Sequence, residues 1–76
     1  MRVKKTYKIL TFSTTTSAMG MEKYCFDHKI PGRLIPVPRE ISAGCGICWR
    51  MEKQEYEEYK ELFSHVEYEN IVELMM

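Results

Sequence analysis

No stretch of this 76-residue chain approaches the length of a membrane-spanning segment. The charged start Met1-Arg2-Val3-Lys4-Lys5 leads only to a short apolar run over residues 9–12, cut by Thr11, far below the apolar core of a secretory signal. A glycine-rich phosphate loop is missing, as is a basic stripe interleaved with aromatics, which removes P-loop chemistry and single-strand nucleic-acid binding. No paired carboxylates mark a cleft for acid–base work. Net charge is also lacking, since eleven Lys and Arg balance eleven Asp and Glu. Three cysteines are an odd number for a disulfide framework, and without an exporting segment they point to thiols kept in a reducing cytosol. The expected location is cytoplasmic, with no membrane and no nucleic-acid partner.

What is present suits one small domain over residues 1–76, with residues 1–4 expected as a disordered tail. A chain of this length hides only about 60% of its unfolded surface. Nine aromatics and a 45% hydrophobic fraction supply the core, so neither a metal nor a disulfide is strictly required for folding, and no cofactor is expected. Charge is unevenly spread: residues 1–39 carry +6 and residues 40–76 carry −6. Such a dipolar chain suits docking between proteins, although solvated faces account for most charge runs.

Residues 5–12, KTYKILTF, are rich in β-branched and aromatic types and predict a strand that stops at the hydroxyl cluster Ser13-Thr14-Thr15-Thr16-Ser17, a helix N-cap. Over residues 16–29, Ala18, Met21, Cys25 and His28 share one helical face, and Ile30-Pro31-Gly32 ends the helix. Gly20 costs about 1 kcal/mol inside a helix, which predicts a close neighbour there. Residues 33–37, RLIPV, predict an edge strand, because Pro36 cannot donate to a ladder. Ile47, Trp49 and Met51 then alternate with Cys48, Arg50 and Glu52, the period of a strand with one buried face. Residues 54–66 predict a second helix with Tyr56, Tyr59, Phe63 and Val66 on its apolar side and Glu55, Glu57, Glu58 and Glu61 toward water. Residues 70–74 form a last strand.

The order β-α-β-β-α-β is that of a ferredoxin-like α+β sandwich: a four-stranded antiparallel sheet with two helices on one face. The first and second strands then run the same way. This brings the Ser13-Thr14 region and the turn after the second strand to one end of the sheet. Pro36 guards one sheet edge, and the unguarded edge near residues 71–74 leaves a homodimer open.

That turn, Ile41-Ser42-Ala43-Gly44-Cys45-Gly46, carries the chemistry. A thiol reacts as thiolate, and helix N-termini, cations and exposed amides lower its pKa. The helix start at the Ser/Thr cluster, with Ser13 and Thr14 as binding candidates, Arg39, and the amides at Gly44 and Gly46 are the candidates for this work, and glycine flanks leave room for a bulky partner at Cys45. A structural turn cysteine is the competing reading. Cys45-Gly46-Ile47-Cys48 has the CxxC spacing of thiol–disulfide oxidoreductases, yet there the motif opens a helix, whereas here it enters a strand. Residues three apart in a strand are roughly 10 Å apart on opposite faces, too far for a disulfide. Cys48 is a candidate resolving thiol or a sheet-face residue. A zinc reading also stands: Cys25-x2-His28 and Cys45-x2-Cys48 have the count and spacing of a Cys3His site. The helical stripe and topology oppose it by sending His28 to the far end of the sheet. His65 reads as a surface residue near a helix C-terminus.

The block GRLIPVPREISAGCGI, residues 32–47, together with STTTSAMGMEK upstream, resembles a family of small bacterial selenium/sulfur carrier-like proteins over roughly residues 7–74. The resemblance implies a cysteine that holds sulfur or selenium as a persulfide or selenosulfide, and the matching residue is Cys45. It implies a donor enzyme and an acceptor protein as partners, and a carrier rather than a turnover enzyme. A non-catalytic interaction domain, with the turn as epitope, is the alternative from a different class.

Overall fold

Hydroxyl capping, strand pairing and one apolar layer organise the chain. The computed structural model describes residues 5–41 and 46–75. Its elements are β1 (Thr6–Thr11), α1 (Thr15–Asp27), β2 (Arg33–Pro36), β3 (Ile47–Glu52), α2 (Lys53–Tyr59), a 3₁₀ segment (Lys60–His65) and β4 (Asn70–Met75). The strands form one sheet in the order β2-β3-β1-β4, with every neighbouring pair antiparallel. This is the α+β, ferredoxin-like arrangement. β2 and β4 are the edges, and Pro36 sits on an edge as its missing N–H requires.

α1 begins where Thr14 accepts the Ser17 N–H at 3.1 Å. It ends in a Schellman motif: Ile30 N–H donates to the Cys25 carbonyl at 2.8 Å and Lys29 N–H to the Phe26 carbonyl at 3.3 Å. Lys29, at φ 57°, takes the left-handed position there, so the stop precedes Pro31-Gly32. Ala18, Met21 and Cys25 are buried as their spacing predicts, but His28 is the exposed C-cap, turned off that stripe where the last turn opens. The second helix is α-helical only to Tyr59 and tightens into the 3₁₀ segment, which carries the buried Phe63.

The core lies between the sheet and the helices: Leu10, Phe12, Trp49 and Met51 meet Met21, Cys25, Ile30 and Phe63. Tyr24 Oη donates to the Leu62 carbonyl at 3.0 Å and ties α1 to the 3₁₀ segment. On the helix-bearing face Glu73 pairs with Lys8 at 3.2 Å and Lys53 at 3.3 Å, and both lysines hold its carboxyl below the usual range. The opposite face holds a second buried strip, Ile9, Thr11 and Cys48, with Ile35, Arg50 and Val72 beside them in register. β3 is therefore buried on both faces around Cys48, a departure from the single buried face that its alternation predicts. Central strands flanked by long side chains on both sides leave little surface for a small residue between them.

Two glycines behave in opposite ways. Gly20 has nothing within 4 Å of where a Cβ would stand, so no close neighbour explains it. Gly32, at φ 132°, would place a Cβ 2.6 Å from Trp49 Nε1 and 2.7 Å from the Arg50 carbonyl oxygen. Gly20→Ala is expected to stabilise by about 0.5–1 kcal/mol through helix propensity. Gly32→Ala is expected to cost about 2 kcal/mol or more through backbone strain and overpacking on the indole. Urea unfolding of the two variants checks the opposite signs.

Candidate functional site around the turn after β2

β1 and β2 each pair antiparallel with β3, so their C-terminal ends meet its start: Thr11 lies opposite Cys48, and Pro36 opposite Ile47. Val37 N–H donates to the Gly46 carbonyl at 3.1 Å, which carries the β2–β3 ladder past Pro36. Gly46 is exposed and adopts φ 78°, a conformation that glycine takes without strain. Ser13 and Thr14 are exposed at the same end, where β1 gives way to α1. Arg39 is exposed in the turn leaving β2, where Ile41 N–H donates to the Pro38 carbonyl at 3.0 Å, and it makes no ion pair among the described residues. The predicted neighbours Ser13, Thr14, Arg39 and Gly46 thus share one end of the sheet. Gly44 and Cys45 lie outside the described residues, which stop at Ile41 and resume at Gly46.

Cys25 is fully enclosed in the core, and burial pushes its thiol up to about 12. Cys48 is equally enclosed, but on the other side of the sheet, in the strip with Ile9 and Thr11. Cys25-x2-His28 and Cys48 therefore do not converge on one ligand set, and no group of three His, Cys, Asp or Glu among the described residues could hold a metal ion. No helix among the described residues is long and apolar enough to cross a membrane.

A family model described as "Putative Se/S carrier protein-like" matches residues 7–73. The chain belongs to this Se/S carrier-like family. Searches of curated proteins and of solved structures find no match. The match runs from within β1 to within β4 of this Se/S carrier-like chain and takes in both helices and the cysteine turn. One feature of this member escapes reasoning from motifs: Tyr7, Arg33 and Arg50 share the helix-free face, where the β3 alternation taken alone predicts a solvated row. Arg50 standing between Cys48 and Glu52 in that alternation is the signal in the sequence, but its neighbour Arg33 emerges only with the strand register.

Proposed function

We propose that this protein is a cytoplasmic sulfur or selenium carrier and that Cys45 bears the cargo. The observation supporting this choice of residue is the enclosure of Cys25 and Cys48, which leaves Cys45 as the remaining cysteine in a chain of a carrier-like family. Gly44 and Gly46 flank it with no side chains to obstruct a partner, and Ser13, Thr14 and Arg39 supply hydroxyls and a cation at that end of the sheet.

In loading, the Cys45 thiolate attacks the terminal sulfur of a donor persulfide. The donor's S–S bond breaks, the donor leaves as a thiolate with the electron pair, and Cys45 becomes a persulfide. An acceptor nucleophile then takes the terminal sulfur by the same exchange and Cys45 returns as thiolate, with no net oxidation. A selenium atom in the terminal position follows the same path. Donor and acceptor are protein partners docking on a glycine-flanked turn, and the opposed charges of the two halves of the chain orient them.

The test is loading with a small-molecule persulfide followed by intact-mass measurement. Wild-type protein is expected to gain one sulfur atom, lost again on treatment with dithiothreitol, while Cys45→Ser gains none and melts at an unchanged temperature. A Cys45→Ser protein that still acquires the sulfur overturns the assignment.

A further inference from the structure

At the end of the sheet away from Gly46, β2 opens with Arg33 directly opposite Arg50 of β3. Like charges opposed across a strand pair destabilise it. Among the described residues neither guanidinium pairs with a carboxylate, and the ion pairs there join Lys5 to Glu52, Lys8 and Lys53 to Glu73, and Lys60 to Glu57. The Arg50 guanidinium instead lies over the Tyr7 ring, 4.7 Å from its centroid.

Both arginines and Tyr7 line a cavity of about 250 Å³ with Lys5 at its rim. Two carboxylates also line it, and the fold occupies both. Glu52 is paired with Lys5 at 3.0 Å, and Glu55 Oε1 accepts the Glu52 N–H at 3.1 Å as half of the α2 capping box. Gly32 and Met51 complete the wall.

We propose that this cavity is a binding site for a small phosphate-type oxyanion, free or as a monoester, held between Arg33 and Arg50. Guanidinium forks match tetrahedral oxyanions in charge and in bidentate geometry. An anion between them converts the cross-strand repulsion into two charge-assisted contacts, and the cation–π contact with Tyr7 holds Arg50 beside the cavity. The cavity is below the size of drug-sized ligand pockets, which suits a small anion rather than a nucleotide. The site lies at the opposite end of β2 from Gly46 and is tested independently of the carrier reading.

The experiment is an NMR titration of the full chain with inorganic phosphate, and in parallel with methyl phosphate, against sodium chloride at matched ionic strength. Saturable shifts are expected at the Arg33 and Arg50 Nε–H resonances and at the Gly32 amide with at least one of the two phosphates, and the tighter one identifies the source. Arg33→Gln is expected to weaken binding about tenfold or more, the loss of a charge-assisted contact. Lys23→Gln, at an exposed α1 lysine without an ion pair among the described residues, should bind as wild type does. Arg33→Glu, which places a carboxylate opposite Arg50, is expected to abolish binding while keeping or raising the melting temperature, so that loss of the site is separated from loss of the fold. Shifts that grow linearly, that chloride reproduces, or that survive Arg33→Gln unchanged overturn the proposal.

Discussion

In native protein at neutral pH, an alkylating reagent is expected to label Cys45 and to spare Cys25 and Cys48 until the chain unfolds. The Cys25 thiol, ordinarily near 9.0, is pushed up to about 12 by burial, which at a given pH lowers its thiolate fraction about a thousandfold. Enclosure adds a second barrier for Cys25 and the principal one for Cys48, because neither sulfur has exposed surface through which a reagent can reach it. Timed quenching with peptide mapping reads all three sites. Labelling of Cys48 at the rate of Cys45 would contradict its enclosure, and slow labelling of Cys45 would remove the chemistry proposed for it.

Cys25 carries a pH signature as well. Its folded-state pKa is raised, so between about 9 and about 12 the unfolded chain has lost a proton that the native state still binds. The associated stability is fully present below about pH 9 and is lost as pH rises through this window. Melting temperatures of wild type and Cys25→Ala across that range should show a steeper alkaline decline for wild type, the difference isolating Cys25 from the lysines and tyrosines.

Phe63→Ala is expected to bring the domain to the edge of unfolding. Truncating a buried phenylalanine costs about 3–5 kcal/mol. The whole stability of a chain this long is on the order of 4–11 kcal/mol. Phe63 is 1% exposed and stacks with Tyr56 at a centroid distance of 5.7 Å, so its removal opens a cavity between the 3₁₀ segment and the sheet that a short, thin core cannot close. Phe26→Ala is the contrast: that ring is 81% exposed on α1, and its loss should change stability by no more than about 0.5 kcal/mol. Urea denaturation of the two variants settles whether burial, rather than aromatic character, carries the stability.

Local chemistry made much of this protein readable in one dimension. The hydroxyl cluster as a helix cap, the Ala18-Met21-Cys25 stripe, Pro36 at an edge and the Ile47-Trp49-Met51 alternation each depend on residues a few positions apart, and together they determined the β-α-β-β-α-β order. The block over residues 32–47, together with the upstream STTTSAMGMEK, likewise carried the resemblance to the family that the match over residues 7–73 shows. Tertiary structure alone decided the rest, because strand register joins residues distant in the chain. It set Thr11 and Ile35 on either side of Cys48 and enclosed a sulfur that CxxC spacing leaves open. It pressed Gly32 against the Trp49 indole, and it brought Arg33 opposite Arg50, a repulsive pair that neither segment records on its own.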